Sequence, residues 1–237
     1  MLNALSNALS GLKTFSRKLQ SSANNLANVS TSGFKASRVD TAAVKSGGVR
    51  ASATTRSSSQ GSLQSTGNPL DLAIAGKGFF QVGLAGGGTG FTRAGNFKLD
   101  NAGTLVTSDG NPVVPAITLP ANSQGLSVGS TGEVSAKVGG DTVAAGQIQL
   151  AGFGNPAGLS AAGGNIFLAS GASGPPTPGN PGAGGLGTIV SGALETSNVD
   201  PASEMVDQIV TANAFKANAN VIKAADEMTG TILDIKG

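Results

Sequence analysis

The sequence contains no cysteine, histidine, tryptophan or tyrosine, and only 12% of its 237 residues are charged. Without cysteine and histidine, the chain has no disulfide, no thiolate or imidazole metal site, and no Ser-His-Asp or Cys-His nucleophile. Metal or acid–base chemistry would therefore depend on carboxylates alone. Aromatic residues are also scarce, since the chain has only nine, all phenylalanine, whereas it has 37 glycines. This composition is typical of a chain rich in turns rather than of an ordinary enzyme.

The sequence also lacks a long hydrophobic run. No stretch of 18 apolar residues occurs, so we expect no membrane insertion. The start, "MLNALSNALSGLKTFSRK", has neither the basic leader nor the continuous apolar block of a cleavable signal peptide. If the protein leaves the cytoplasm, we expect another export route. Hydrophobic residues still make up 39% of the chain, which is enough to form a core.

Charge is distributed unevenly. Residues 1–56 contain eight basic side chains and one acidic side chain, whereas the chain from Glu195 onward contains seven acidic side chains and three lysines. Opposite charges favour contact between the two ends, within one chain or between copies, more than they favour nucleic acid. The alternative is that these charges belong to two solvated helix faces.

Both ends of the chain show helical periodicity. In the N-terminal segment, leucines fall on the a and d positions of one heptad frame: Leu2, Leu5, Leu9, Leu12, Leu19 and Leu26. In the C-terminal segment, apolar residues recur with the period of an α-helix: Val206, Val210, Ala214, Ala217, Val221, Ala224, Met228, Ile232 and Ile235. Pro201 is suited to the first turn of this second helix. One such stripe usually packs on a globular core, but two long stripes at opposite ends favour a coiled-coil-like terminal bundle.

The middle of the chain has a different pattern. Residues 41–66 are rich in Ser, Thr, Ala and Gly and predict an extended connector. From residue 67 to 190, short apolar runs alternate with turn signals such as Asp109-Gly110 and Gly139-Gly140, which predicts a mainly antiparallel β domain. Residues 170–187 contain too much proline and glycine for a helix or a central strand. The predicted fold is thus α+β, with parts at 1–40, 41–66, 67–190 and 191–237.

Few residues indicate chemistry. "GKG" at 76–78 lacks the remaining glycine of a dinucleotide-binding fingerprint, and no phosphate-binding loop is present. Asp100, Asp109, Glu133 and Asp141 are candidates for a carboxylate pair of the glycosidase type. Each lies in or beside a turn, where aspartate is common for backbone reasons. We therefore expect no catalysis, no metal and no cofactor.

Several motifs together resemble the flagellar axial proteins, which form the rod, the hook and their junctions. "SSANNLANVSTSGFKASR" resembles their N-terminal signature, and "LETSNVDPASEMVDQIVTANAFKANANVIKAADEMTGTILDI" resembles their C-terminal helix. "TGNPLDLAIAGKGFFQV" and "FTRAGNFKLDNAGTLVTSDGNPV" resemble the β domain of rod and hook members. "GQIQLAGFGNPAGLSAAGGNIFLASGASG" is similar to the distal rod subgroup. The resemblance covers nearly the whole chain.

The resemblance implies that the terminal helices form the inner layer of a helical tube, with each copy packing on neighbours rather than on itself. The three asparagines of the signature would then bond across subunits and specify register, unless they simply face solvent. Gly33 would end the helix with positive φ, and Phe34 would pack on the last turn or on a neighbour. The implied N-terminal interface is Leu5, Leu9, Leu12, Leu19, Asn24, Asn25, Leu26, Asn28, Gly33 and Phe34. The implied C-terminal interface is Val206, Val210, Ala217, Val221, Met228, Ile232 and Ile235.

The implied function is a self-assembling structural subunit of the flagellar basal-body rod that transmits torque from motor to hook. Its implied partners are itself, proximal rod and hook proteins, the rings around the rod and the flagellar export apparatus, with no nucleic acid. The implied location is the part of the basal body that spans the periplasm. A proximal rod or hook-type subunit is the nearer alternative, since residues 41–66 form a shorter segment than most distal rod proteins have. A secreted β-rich binding protein or a carboxylate-based wall enzyme is the alternative from another class.

Overall fold

The computed structural model describes residues 2–45 and 47–235, except for the side chains of Leu2 and of residues 232–235. The chain forms two compact units. Unit 1 comprises the residues up to Val29, Ala36–Ser57 and the residues from Val199 onward. Unit 2 comprises Ser30–Lys35 and Ser58–Asn198.

Unit 1 begins with helix α1, Leu2–Ala27. Its sequence is dominated by Leu, Ala, Ser, Lys and Gln, and Thr14 is its only β-branched residue, so little side-chain entropy opposes the helix. At its end, the backbone N–H of Asn28 is shared between the carbonyl groups of Asn24 and Asn25. Such shared bonds are common where a helix terminates.

The last element of unit 1 is helix α2, Pro201–Ile235, which begins at the proline predicted for its first turn. The Asp200 carboxylate accepts a hydrogen bond from the Ala202 N–H at 3.1 Å, as an N-cap residue does. Helices α1 and α2 pack on each other within one chain. Contacts of residue 11 with 218 and of residue 25 with 204 show that the two helices run antiparallel. The implied arrangement, in which these helices pack only on neighbouring copies, is therefore wrong.

The remaining part of unit 1 is a β-hairpin of β1, Ser37–Ala43, and β2, Val49–Arg56. It occupies most of the segment predicted as an extended connector, so that prediction is wrong for these residues. The hairpin is fastened to α1 by polar groups: Thr14 Oγ1 donates to the Val49 carbonyl, and Ser10 Oγ accepts from the Val49 N–H, both at 3.1 Å. Val39 is the one buried side chain of the two strands, so hydrophobic periodicity gives no signal for this hairpin.

Unit 2 is built from short strands, and every strand pair in the described residues is antiparallel. The strands are β3 Leu63–Ser65, β4 Leu72–Ala75, β5 Phe79–Gly83, β6 Thr89–Thr92, β7 Lys98–Leu99, β8 Leu105–Val106, β9 Gln124–Val128, β10 Glu133–Val138, β11 Asp141–Gln147, β12 Leu150–Gly152, β13 Ser160–Gly163, β14 Ile166–Leu168, β15 Thr177–Gly179, β16 Thr188–Ser191 and β17 Ala193–Glu195. The largest sheet has the order β13-β14-β6-β5-β12-β15, and a second has the order β11-β10-β9. Two-stranded pairs β16-β4, β17-β3 and β7-β8 complete the unit. The predicted combination of terminal helices with a mainly antiparallel β domain is confirmed, and the coiled-coil character of the helices stays a prediction.

The core of unit 2 consists of aliphatic and phenylalanine side chains. Phe80, Ile148 and Leu150 are completely buried in the larger cluster. A second cluster joins phenylalanines edge to face, with ring centroids of Phe91 and Phe153 4.8 Å apart. This geometry is favoured by the aromatic quadrupole and adds about 0.5–1.5 kcal/mol to the gain from burial.

Turn chemistry places the strands largely as predicted. Gly139 and Gly140, both with positive φ, form the two-residue loop between β10 and β11. The predicted Gly/Pro-rich loop at 170–187 contains one short strand, β15, which lies at the edge of its sheet, where a proline is tolerated. Strand β17 and the residues up to Asn198 belong to unit 2, so this unit extends beyond the predicted boundary at 190.

Candidate functional site

The start of α2 carries a contiguous exposed apolar surface. Met205, Val206, Ile209 and Val210 are 51%, 59%, 63% and 61% exposed. Their spacing of one and four residues places them on one face of the helix. Single exposed hydrophobic residues are normal on proteins, but a contiguous group marks an interaction surface. We call these four residues the α2 apolar patch.

The predicted C-terminal interface residues lie on exposed helix surface. Val206 and Val210 belong to the α2 apolar patch, Val221 and Met228 are 46% and 51% exposed, and Ala217 is exposed. The predictions for Ile232 and Ile235 concern side chains outside the described part of the chain. Sequence periodicity missed Met205 and Ile209, which lie beside the predicted stripe. The adjacent apolar pairs 205–206 and 209–210 are the signal that this stripe is wider.

Helix α1 packs in its own chain through small and polar residues rather than through its leucines. Its buried positions are Ala8, Gly11, Thr14, Ser22 and Asn25. The predicted leucine seam is more accessible: Leu5 and Leu9 are 39% and 46% exposed, and the others are half-buried, namely Leu12, Leu19 and Leu26. The leucine face of α1 therefore retains apolar surface that one chain leaves uncovered.

Between the two oppositely charged segments, the ion pair in the described residues is that of Lys35 with Glu195, which lies in unit 2 and not between the two helices. Lys13 and Arg17 on α1 are exposed, and Asp207 on α2 is exposed too, but no ion pair joins the described parts of the two helices. The surface pair in unit 1 is instead local, with Arg38 Nε 3.0 Å from Asp40 Oδ1. Thr55 and Arg38 donate hydrogen bonds to Asp40 and lower the pKa of its carboxyl.

The three asparagines of the signature have different environments. Asn24 is exposed, and Asn28 Nδ2 donates to the Asn24 carbonyl at 2.8 Å. Asn25 is buried, and its Nδ2 donates to the Ser37 carbonyl at 2.8 Å and to Glu204 Oε1 at 2.7 Å. The expectation that Asn25 bonds across subunits is therefore replaced by bonds within its own chain.

Gly33 has the predicted positive φ, at 69°, but for a different reason. Helix α1 has already ended at Ala27, so Gly33 is not its cap. It lies in a turn, and its own backbone N–H donates a hydrogen bond to the Glu195 carbonyl at 2.7 Å. A Cβ atom there would lie 2.4 Å from backbone atoms of Arg93 and Ala94. The next residue, Phe34, is buried.

Sequence reasoning missed a buried ion cluster in unit 2. Glu195, with a fully buried side chain, accepts from Lys35 Nζ at 2.5 Å, from Arg93 Nη1 at 3.0 Å and from the Gly61 N–H at 3.0 Å. Burial lowers the pKa of Lys35 and of Arg93, while contact with Glu195 opposes this effect. Lys35 lies in "SGFKASR", Arg93 in "FTRAG" and Glu195 in "LETSNVD", which are parts of three different motifs quoted above. The presence of one charged residue in each motif is the sequence signal that could have indicated the cluster. We call Lys35, Arg93 and Glu195 the Glu195 cluster.

The four carboxylates considered for catalysis are all exposed. Asp100 Oδ1 accepts from the N–H groups of Ala102 and Thr104, which is the turn role expected of aspartate. Among the described residues, no group of three or more acidic side chains is placed to hold a metal ion. Nor is any described helix long and apolar enough to cross a membrane.

Comparison with known families gives three matches along the chain. Residues 5–35 match the family described as "Flagella basal body rod protein". Residues 73–136 match the "Flagellar hook protein FlgE/F/G D1 domain", and residues 190–235 match the "Flagellar basal body rod FlgEFG protein C-terminal". The first and last matches include the exposed faces of α1 and α2, and the second lies in unit 2.

Individual relatives agree with these matches. The flagellar basal-body rod protein FlgG of Bacillus subtilis is 40% identical, with all of both chains covered. The protein of the same name from Caulobacter vibrioides is 38% identical over 96% of this chain and 97% of its own. The flagellar hook protein FlgE of Salmonella typhimurium is 34% identical, but over 57% of this chain and 32% of its own.

Proposed function

Since this chain belongs to the family of flagellar basal-body rod proteins, we propose that it is a self-assembling structural subunit of the distal rod. The end-to-end similarity to FlgG proteins supports the rod assignment over a hook assignment, because the hook protein matches only part of this chain. In this role the protein transmits torque from the motor to the hook and performs no catalysis.

The observation that carries this proposal is the exposed apolar surface of both terminal helices. The α2 apolar patch and the leucines Leu5 and Leu9 remain accessible although α1 and α2 pack on each other. A second copy of the chain can cover them, because one copy supplies a leucine face and another supplies a valine and isoleucine face. Covering one such side chain contributes about 1.5–3 kcal/mol. Repeated at every subunit of a tube, this gain would outweigh the loss of freedom on association.

Charge supports the same arrangement. The basic side chains of α1 and the acidic side chains of α2 form no ion pair with the other helix in the described residues of one chain. Pairing between copies would bring the two signs together and would orient neighbours head to tail. The coiled-coil-like bundle of the terminal helices belongs to this proposed assembled state.

The proposed partners follow from the position of the distal rod. They are further copies of this chain, proximal rod and hook proteins at the two ends of the tube, and the rings around it. The proposed location is the basal body where it spans the periplasm, reached through the flagellar export apparatus. A chain without cysteine is suited to such passage, because no disulfide has to form or break.

The test is assembly of purified full-length protein over a concentration series, measured by sedimentation and electron microscopy. Ile209→Gln removes one exposed apolar side chain and preserves helix propensity, so the folded monomer should be unaffected. The concentration needed for assembly should rise about tenfold or more, from the burial energy lost at each contact.

Asn213→Gln is the matched control, because Asn213 is also exposed on α2 but polar. It should assemble like the wild type. Two results would contradict the proposal: a wild-type protein that remains monomeric at all concentrations, or an Ile209→Gln variant that assembles as readily as the control.

A further inference from the structure

We infer that Asn25 is a positioning residue that sets the axial register of α1 against α2 inside each copy. Through that register it decides how the exposed faces of the two helices line up for a neighbouring copy. The second part of this inference rests on the proposed function, whereas the first part concerns a single chain.

The first observation is that Asn25 joins three separate elements of unit 1. Its Oδ1 accepts from the Ser37 N–H at 2.9 Å, at the start of β1. Its Nδ2 donates to the Ser37 carbonyl and to Glu204 Oε1, in the first turn of α2. Both Nδ2 hydrogens and the Oδ1 atom are thus used, in a residue that is 2% exposed. A buried amide that loses these partners is left with unsatisfied donors and an unsatisfied acceptor, so the arrangement is specific.

The second observation is another close contact between the same helices. A Cβ atom on Gly11 would lie 2.6 Å from Asn218 Oδ1, so this side chain of α2 fits against α1 only where α1 has glycine. The contacts 11–218 and 25–204 are separated by two heptads on both helices. The two helices are therefore held at two points that share one register.

Apolar packing alone would not select this register. Apart from Asn25, the buried face of α1 consists of small side chains, namely Ala8, Gly11, Thr14 and Ser22, which leave little apolar bulk to oppose a slip of one heptad, a shift of about 10 Å. The same slip separates Asn25 from Glu204 and places a side chain other than Asn218 against Gly11. The buried polar contact thus distinguishes registers that these small side chains leave nearly equivalent, which is the best-attested use of such residues.

The test compares isosteric variants at neighbouring positions. Asn25→Asp replaces the Nδ2 donor by an oxygen that faces the Ser37 carbonyl and the Glu204 carboxylate. Asn24→Asp makes the same chemical change at the adjacent exposed position and is the matched control. The double variant Asn25→Asp/Glu204→Gln restores a donor, because the amide introduced at position 204 can donate to the carboxylate introduced at position 25.

Register is measured as an intramolecular distance between two spin labels. Cysteines at the exposed positions Gln20 and Asn213 take the labels, and the chain has no other cysteine to react. Labelled protein is diluted into unlabelled protein, so that only distances within one copy are observed, both before assembly and in assembled tubes. The tubes are also examined for uniform helical geometry by electron microscopy.

We expect one narrow distance for the wild type and for Asn24→Asp. For Asn25→Asp we expect a distribution at least twice as broad, or a second population at a different distance, because a slip of one heptad moves one label about 10 Å along the helix axis relative to the other. The double variant should return to the narrow distance. A general loss of stability would lower the unfolding temperature without creating a displaced population, so this readout separates positioning from a merely structural role.

Two outcomes would overturn the inference: Asn25→Asp giving the same narrow distance as the wild type, or a wild type as broad as the variant. Failure of the proposed function is distinguishable, because it would appear as absence of tubes in all proteins while the distances in single copies still report register. Uniform tubes from Asn25→Asp despite an altered distance would overturn the claimed effect on neighbours.

Discussion

Lys35 and Glu195 lie 160 residues apart in the sequence, yet Lys35 Nζ is 2.5 Å from Glu195 Oε1 in the interior of unit 2. Arg93 binds the other oxygen of the same carboxylate, so one acid serves two buried cations. This pair connects the N-terminal signature turn to β17, the last strand before α2. The N-terminal signature, the β domain and the C-terminal segment are thereby linked by a single carboxylate.

Replacing Glu195 should destabilise unit 2 severely. Glu195→Ala leaves Lys35 and Arg93 buried without their common partner, and breaking a buried pair in this way costs about 3–5 kcal/mol. Lys35→Met should cost less, because Glu195 keeps Arg93 and the Gly61 N–H while one poorly solvated cation is removed. Denaturant unfolding of the full chain measures both. A Lys35→Met variant that is less stable than Glu195→Ala would contradict this account of the cluster.

Gly33→Ala should be more damaging than glycine replacement at another position with the same backbone geometry. Gly33 and Gly67 have φ of 69° and 73°, so alanine is strained at both, by about 1–2 kcal/mol. At Gly33 the new Cβ would also meet the Arg93 and Ala94 backbone at 2.4 Å, whereas nothing lies within 4 Å at Gly67. The free energy of unfolding of unit 2 should therefore fall by clearly more than about 2 kcal/mol in Gly33→Ala. Equal losses in the two variants would show that φ alone requires glycine at Gly33.

Acid should weaken the hairpin of unit 1 through Asp40. The pKa of its carboxyl lies below the ordinary 3.8, because Thr55 and Arg38 donate to the ionised form. Its contribution to stability is therefore complete above pH 3.8 and is lost as the pH falls through the lower, folded-state pKa. Asp40→Asn should be less stable than the wild type near neutral pH, and the difference should disappear in that acidic window. Carboxyl NMR shifts against pH give the pKa, and a normal or raised value would refute the prediction.

Assembly should weaken as salt is added. If Lys13 and Arg17 of one copy face the acids of α2 in another, these partly exposed pairs are screened when the Debye length falls from about 10 Å at 0.1 M to about 3 Å at 1 M salt. Arg17→Glu should reduce assembly at low salt, and Arg17→Glu with Asp207→Arg should restore part of it. Assembly that is indifferent to salt and to both variants would remove charge pairing from the proposal and leave apolar contact alone.

Local sequence patterns were sufficient for much of this fold. Pro201 begins α2, and Gly139-Gly140 closes the β10–β11 hairpin, because each depends on backbone geometry within a few residues. The hairpin of β1 and β2 was not predictable in this way. Its strands are short of large apolar residues and are held to α1 by Ser10 and Thr14, so neither strand has the alternation that hydrophobic patterning detects.

What the sequence determined by itself is therefore the set of amphipathic helices and turns, together with the C-terminal stripe that includes Val206 and Val210, since the 3.6-residue period is a local property. Which side of α1 faces its own chain was decided only by tertiary structure. Gly11 permits close contact with α2, and Asn25 requires it for its hydrogen bond to Glu204. As a result, the leucines of α1 lie toward the surface. Likewise, Lys35 and Glu195 look like surface charges in the sequence and become buried partners only because the fold brings distant segments together, where removal from water makes their pairing necessary.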